Sequence, residues 1–248
     1  MNEKEYQKVV DAFEKYYEQY KNQSKNIILK YQHSYNVAKL MEDLADRLYL
    51  NEEDKYLAKT IGLLHDIGRF EQLKRFDSFD DKLIDHAVFG VNYLFEDGHI
   101  RDFIKTKKYD SIIKEAILNH NLIEINDGLS DRELLFAKMI RDMDKTDIYF
   151  QIAVKIKHSF IEKPSDIVLE KFNNKECISH DIVKTDSDRV INTLSFLFNY
   201  YFDESIEILK ETDNLGIYIS TIEVSEEQEE IFDKLKKDCY EYIGMEII

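Results

Sequence analysis

The scarcity of helix-breaking residues restricts this chain to a small set of folds. Its 248 residues include one proline, Pro164, and seven glycines. Proline removes a backbone donor and glycine destabilises a helix interior, so a chain that nearly lacks both can carry long helices with short connections. Hydrophobic residues make up 44% of the sequence, which is enough for a substantial core. We therefore expect an all-α protein.

Apolar residues recur at intervals of three and four along most of the chain, which is the period of an amphipathic helix. The pattern predicts helices near 3–22, through 33–48, between Asn51 and Gly68, near 82–96, near 109–121, through 134–148, over 190–201 and over 231–242. Residues 69–81 are predicted as an ordered loop, and 163–185 as a loop or irregular crossing.

Three helix boundaries can be read from individual residues. Asn51 precedes three acidic residues, which is typical of a capped helix N-terminus. Ser130, with Glu133 three residues later, matches a capping box. Gly68 is expected to end the helix that carries His65.

The chain is expected to divide into an N-terminal helical domain, residues 1–160, and a C-terminal helical extension, residues 161–248, that packs on the first part. The N-terminal domain carries nearly all the side chains suited to chemistry.

Charge and cysteine content limit the classes of partner. A formal net charge of −16 disfavours an extended nucleic-acid partner, because the phosphate backbone would be repelled. A single pocket can still bind a small anion. No apolar run is long enough to span a bilayer, and the N-terminus lacks a signal core. With two isolated cysteines, Cys177 and Cys239, these features predict a cytoplasmic protein without a membrane partner.

Six imidazole and carboxylate side chains fall on apolar helical stripes, where they would need a partner to be buried. They are His33, His65, Asp66, His86, His120 and Asp144. A divalent metal ion would satisfy all of them, and this donor set suits Zn, Mn, Fe, Co or Ni. Taken singly, each histidine is more often a hydrogen-bonded core residue than a ligand. Asp144 could instead pair with Arg141 or Lys145, and Asp142 and Asp147 are its rivals as a ligand.

The adjacent pair His65-Asp66 sets a geometric condition. Consecutive side chains of a helix diverge by about 100°. Both can therefore reach one centre only near a helix end, or where the carboxylate bridges two ions. The nearby Gly68 fits a helix end.

The order His33, His65-Asp66, Asp144 resembles that of the HD-domain superfamily of metal-dependent phosphohydrolases. His65-Asp66-Ile67-Gly68-Arg69 is similar to that family's His-Asp-Ile-Gly-Lys signature, and Asp144-Lys145 to its distal Ala-Asp-Lys/Arg motif, with Met143 in the Ala position. His86, followed by Ala87 and then Gly90, resembles the His followed by a small residue and Gly that many members contain. The resemblance covers about residues 25–150.

This resemblance implies an HD-domain helical bundle with one or two divalent ions. His33, His65, Asp66 and Asp144 would hold one ion, and His86 and His120 a second. Some dinuclear relatives have paired histidines where this chain has His120 followed by Asn121, so a second ion would have fewer ligands here. Mn, Fe, Co, Ni, Zn and Mg all stay open.

The implied activity is metal-dependent hydrolysis of a nucleotide or other small phosphorylated metabolite. Asp66 would bridge or orient the attacking water, and Arg69, first among the candidates for binding phosphate, would take part in catalysis. Lys74, Arg75 and Lys145 are the further phosphate-binding candidates. Arg69 could instead pair with Asp85 or an acid of the 77–81 cluster, and the other three could belong to a solvated face.

Two other functions fit the same residues. HD-fold proteins that resemble inositol oxygenase use a di-iron centre with the same ligand order. A regulatory domain could bind a nucleotide through a retained metal without turnover. A homodimer formed through the C-terminal tail is also left open.

Overall fold

The computed structural model describes residues 1–22, 24–155 and 157–245. The chain divides into two compact units, Met1–Asp144 and Lys145–Ile248. The boundary predicted from the sequence lies at 160/161, whereas this division falls inside the helix Asp131–Lys155. That the C-terminal extension packs on the first part stays a prediction. None of the described helices has both the length and the apolar character needed to cross a bilayer.

The all-α prediction is confirmed, since nearly all regular structure in the described residues is helical. The first unit contains α1 (Glu3–Tyr17), α2 (Lys25–Arg47), α3 (Glu52–Leu64), α4 (Ile67–Phe76), α5 (His86–Val91), a π-helical turn (Asn92–Glu96), α6 (Ile100–Phe103), α7 (Asp110–Asn119) and the N-terminal part of α8 (Asp131–Lys155). Helix α1 ends at Tyr17, five residues before the predicted end at 22.

Side-chain caps explain where two of these helices begin. The Asn51 side chain accepts a hydrogen bond from the backbone N–H of Asp54, which satisfies one free donor at the start of α3. At the start of α8, the backbone N–H of Ser130 donates to Glu133 Oε2 at 2.8 Å, and the N–H of Glu133 donates back to Ser130 Oγ at 3.4 Å. Both predicted starts are confirmed.

Helices α2 and α3 pack closely and place the first histidine. Val37 and Met41 of α2 are fully buried, as is Ile61 of α3, and burial of each such side chain contributes about 2 kcal/mol. A Cβ at Gly62 would lie 2.7 Å from Cα of Ala38, so only glycine permits this approach of the two backbones. His33, one turn before Val37, therefore lies next to the C-terminal end of α3.

The predicted loop over 69–81 is wrong for its first half, because α4 continues to Phe76. Phe70 and Leu73 are buried with helical spacing, and the Phe70 ring packs edge-on against Phe13 at a centroid distance of 5.8 Å. The helix ends where Asp77 takes a left-handed conformation, φ 44°. The charged residues between the buried positions concealed this short helix.

The helix predicted near 82–96 begins later, at His86. The Asp85 side chain accepts hydrogen bonds from the N–H groups of Ala87 and Val88, which fixes the helix start at that point. Leu83, which falls within the predicted helix, lies before this start and is 50% exposed.

The second unit is helical, with one short parallel strand pair. After the C-terminal part of α8 follow β1 (His158–Phe160), α9 (Asp166–Asn173), a 3₁₀ turn (His180–Ile182), α10 (Asp186–Leu194), a 3₁₀ segment (Ser195–Asn199), α11 (Asp203–Thr212), α12 (Asn214–Ser220), β2 (Ile222–Val224), a 3₁₀ turn (Glu226–Gln228) and α13 (Glu229–Tyr242). Strand β1 pairs with β2 in the register His158↔Ile222.

The second unit has its own hydrophobic core and corrects two predictions. The segment 163–185 contains α9, which buries Val168 and Phe172 against Leu194 and the rest of this core. The helix predicted over 190–201 is α-helical only to Leu194 and continues as a 3₁₀ segment. The predicted last helix is confirmed as α13.

Candidate metal centre

The six predicted imidazole and carboxylate residues converge in the first unit. His33 lies on α2, His65 and Asp66 between α3 and α4, His86 at the start of α5, His120 just after α7, and Asp144 on α8. All are buried, with at most 8% of any residue exposed. They form three overlapping groups, and within each group the ligand atoms lie within 4.8 Å of one another. The groups are His33, His65 and Asp66; His65, His120 and Asp144; and Asp66, His86 and His120.

A break between two helices lets adjacent residues reach the same centre. Helix α3 ends at Leu64 and α4 begins at Ile67, and Asp66 between them has φ −100° and ψ 18°. The helix end that the sequence required therefore lies at His65-Asp66. Gly68 was expected to form that end and instead lies inside α4.

Gly68 has a different role, which is to allow α4 and α5 to touch. A Cβ on Gly68 would lie 2.1 Å from the carbonyl oxygen of His86 and 2.7 Å from the backbone nitrogen of Gly90. No side chain fits at such distances. The missing Cβ brings the start of α5, and with it His86, against Asp66.

The two oxygens of Asp66 face two different histidine pairs. Oδ2 lies 3.5 Å from Nε2 of His33 and 3.5 Å from Nε2 of His65. Oδ1 lies 3.2 Å from Nε2 of His86 and 3.7 Å from Nε2 of His120. Asp144 Oδ1 joins the first pair, at 3.0 Å from His33 and 3.5 Å from His65. This is the arrangement of a carboxylate shared between two ligand groups.

Hydrogen bonds at Nδ1 determine which histidine nitrogens face the centre. Nδ1 of His65 lies 2.7 Å from the carbonyl oxygen of Gly62, and Nδ1 of His120 lies 2.6 Å from that of Ile117. Because a carbonyl can only accept, Nδ1 carries the proton in both rings and each neutral ring presents a bare Nε2. His86 Nδ1 lies 2.7 Å from Asp81 Oδ1, with the same consequence.

The ring nitrogens that face the centre lie close together. The bare Nε2 atoms of His86 and His120 are 2.9 Å apart, and the bare Nε2 of His65 lies 3.3 Å from Nε2 of His33. Lone pairs at such distances repel each other unless a cation lies among them. Burial lowers the pKa of His120, and the neighbouring His86 lowers it further while Asp66 opposes the shift, which favours the neutral, metal-binding form.

Asp144 provides an independent test of whether a metal ion fits. Its Oδ1 atom is buried and accepts no hydrogen bond from the described residues. Arg141, a suggested salt-bridge partner, donates instead to the carbonyl oxygens of Asn119, Leu122 and Ile123. A buried carboxylate oxygen that lies 3.5 Å from the bare Nε2 of His65 is suited to a divalent cation. The residues present therefore fit a metal ion.

The basic residues predicted to bind phosphate all have partners. Arg69 donates to Asp81 Oδ1 at 2.7 Å, which is one of the alternatives that the sequence left open. Lys74 and Arg75 pair with Glu71, at 3.7 and 2.7 Å. Lys145 belongs to the second unit, where it donates to the backbone oxygen of Asn199 at 3.0 Å.

Two residues at the centre were missed by sequence reasoning. Nζ of Lys30 lies 2.6 Å from Asp66 Oδ2. Burial raises the pKa of Asp66. The Lys30 ammonium and the imidazoles lower it by a larger amount, so the net pKa lies well below the usual range. Asp81 is the second missed residue. Burial raises its pKa, while the hydrogen bond from His86 and the charge of Arg69 lower it to about 2.

Comparison with known proteins identifies one family. A family model described as "HD domain" matches residues 31–160, which contain all six residues of the centre. No curated protein and no solved structure gives a significant match to the chain.

Proposed function

Because this chain belongs to the HD-domain superfamily, we propose that it is a metal-dependent phosphohydrolase acting on a nucleotide or another small phosphoester. The observation that carries the proposal is Asp66, whose two oxygens each face a pair of histidine Nε2 atoms. Two further observations support metal-dependent hydrolysis. The family consists largely of metal-dependent hydrolases, and the buried donor set is suited to divalent ions.

The residues divide into two sets of metal ligands. His33, His65, Asp66 and Asp144 would hold one ion, and Asp66, His86 and His120 a second. Bound divalent ions lower the pKa of water toward neutrality and neutralise phosphoryl oxygens. Asp66, the residue common to both sets, would also orient the attacking water through its carboxylate.

Arg69 is the best placed of the basic residues to contact a substrate oxygen. Its Nε is buried, donates no hydrogen bond to the described residues and lies 3.6 Å from Asp66 Oδ1. A phosphoryl oxygen at the centre could accept that N–H. The half-exposed Lys74 and Arg75, together with Lys145, are proposed to contribute longer-range attraction for an anion.

A small substrate fits the charge of the whole protein. With a formal net charge of −16, long-range electrostatics oppose an extended polyanion. A single phosphoester needs only local compensation, which Arg69 and the bound ions would supply. A nucleotide or a phosphorylated metabolite is therefore the proposed substrate.

The test is metal analysis of protein purified without added metal, followed by a phosphatase and nucleotide screen with Mn, Co, Ni, Mg and Fe. We expect phosphate release that depends on the added metal. Asp66→Ala should abolish turnover while circular dichroism shows a folded helical protein. Asp80→Ala, which changes an exposed carboxylate of the same type, is the matched control and should retain activity.

The two alternative functions give different results in the same assays. If the iron-loaded protein consumed oxygen and released no phosphate, the proposed function would be oxygenase activity instead of hydrolysis. Nucleotide binding without turnover under all metal conditions would indicate a sensor. Full phosphatase activity in Asp66→Ala would remove the proposed mechanism.

A further inference from the structure

Asp81 lies behind the second histidine pair and gathers three donors on a single oxygen. Its Oδ1 lies 2.7 Å from His86 Nδ1, 2.7 Å from Arg69 Nη1 and 3.2 Å from Gln72 Nε2. Its Oδ2 accepts from Arg69 Nη2 at 3.2 Å. Asp81 thus contacts His86 on the side of the ring opposite to Asp66.

Helix α4 determines where Asp81 lies. Gln72, which is fully buried, donates to the backbone oxygens of Asp80 at 3.2 Å and Ile84 at 2.8 Å. Arg69 donates to the backbone oxygen of Phe79 at 3.1 Å. Two side chains of one helix therefore hold the irregular segment 79–84 in place. The same helix begins immediately after Asp66, so Asp66 and Asp81 are positioned from one element.

We propose that Asp81 is a positioning residue for His86, which it holds with Nε2 bare and directed at Asp66 Oδ1. The inference rests on the proposed metal centre. Accepting the Nδ1 proton fixes the tautomer and the ring orientation, and a carboxylate in this position makes the ligand nitrogen more basic. Arg69 acts through Asp81, because its guanidinium holds the carboxylate against the ring.

The same contacts predict how the conservative variant behaves. Arg69 and Gln72 both donate toward the site of Oδ1, so that site must be occupied by an acceptor. The amide of Asp81→Asn would therefore direct its oxygen, not its nitrogen, to this point and would still accept from His86 Nδ1. Asp81→Ala removes the acceptor altogether.

The experiment measures binding of Mn²⁺ and Co²⁺ by titration calorimetry to metal-free wild type, Asp81→Ala, Asp81→Asn and Asp80→Ala. We expect two ions per wild-type chain. Asp81→Ala should bind the second ion about 10- to 100-fold more weakly with the first unchanged. Asp81→Asn should bind it more tightly than Asp81→Ala does, and Asp80→Ala should match the wild type.

Nitrogen NMR of the metal-free wild type supplies a second measurement that does not depend on any variant folding. We expect the His86 ring to carry its proton on Nδ1. A proton on Nε2 would overturn the proposal, as would unchanged binding of both ions in Asp81→Ala or equal loss in Asp81→Asn and Asp81→Ala. Failure of the phosphohydrolase activity is a separate result, because these measurements require no turnover.

Discussion

Nζ of Lys30 lies 2.6 Å from Oδ2 of Asp66, the same oxygen that faces His33 and His65. Lys30 is one turn before His33 on α2, and its side chain is only 14% exposed. In the metal-free protein its ammonium compensates the buried carboxylate. An ion that binds this oxygen would lie close to the ammonium, and the two positive charges would repel each other, so we expect Lys30 to oppose metal binding.

Replacing Lys30 by Gln should therefore strengthen metal binding. A hydrogen bond between charged groups contributes about 1.5–3 kcal/mol, so we expect an affinity for Mn²⁺ roughly tenfold higher and a metal-free protein that is less stable. Competition with a chelating dye measures the affinity. Lys39→Gln, an exposed position of the same helix, is the control. Unchanged or weaker binding in the Lys30 variant would contradict the expected repulsion.

Metal addition should stabilise the first unit through Asp144. A ligand present at one hundred times its dissociation constant contributes about 2.7 kcal/mol to stability. Thermal unfolding of the wild type should shift upward with Mn²⁺ and return with a chelator. Asp144→Asn should lose most of that shift, whereas Asp80→Asn should keep it. An equal shift in all three proteins would mean that the metal binds elsewhere.

Gly68→Ala should destabilise the protein and disturb His86. The added Cβ would meet the backbone of α5 at 2.1 Å, and backbone cannot move aside as a flexible side chain can. We expect a loss of about 3 kcal/mol in the free energy of unfolding, measured with urea. Gly98→Ala, where no atom lies within 4 Å but φ is +82°, should lose only about 1 kcal/mol. Equal losses would show that the contact between α4 and α5 can relax.

Asp188 should make the second unit sensitive to acid. Its carboxylate accepts hydrogen bonds from the N–H and hydroxyl of Ser165 and from the N–H groups of Lys184 and Thr185. Burial raises the pKa of Asp188. These hydrogen bonds lower it by a larger amount, so the net pKa lies below the usual value. Stability from this group is therefore complete above about pH 5 and is lost as pH falls through the folded-state pKa.

Asp188→Asn should accordingly lower the free energy of unfolding most at neutral pH. We expect a difference of about 2 kcal/mol in the free energy of unfolding between wild type and variant at pH 7, shrinking as the pH falls below 4. Denaturant titrations at several pH values measure it, and the exposed neighbour Asp186→Asn is the control. A difference that does not change with pH would rule out the carboxylate as its source.

His33 and Asp144 could be found from the sequence because each lies on the apolar stripe of a helix. Helical spacing alone directs His33 with Val37, and Asp144 with Ile140, toward the interior. The chemistry then follows from the cost of burying these groups without a cation. The position of the helix end at His65-Asp66 could not be read in the same way, because Gly68 gave a false stop signal.

Asp81 could not be found from the sequence. It lies in an irregular segment with Asp77 and Asp80 close by, and neither period nor spacing separates the three acids. Its position depends on hydrogen bonds from Arg69 and Gln72, which are tertiary contacts. Lys30 shares a helix face with His33, but a lysine on a helix is most often solvated, so its pairing with Asp66 needed the structure.

The junction between α3 and α4 must contain two residues for the centre to form. One residue added or removed between Leu64 and Ile67 would turn all of α4 by about 100° about its axis. Gly68 would then lose its contact with the backbone of α5, and the Arg69 side chain would point away from Asp81. Homologous chains should therefore vary in the side chains around this junction and keep its residue count constant.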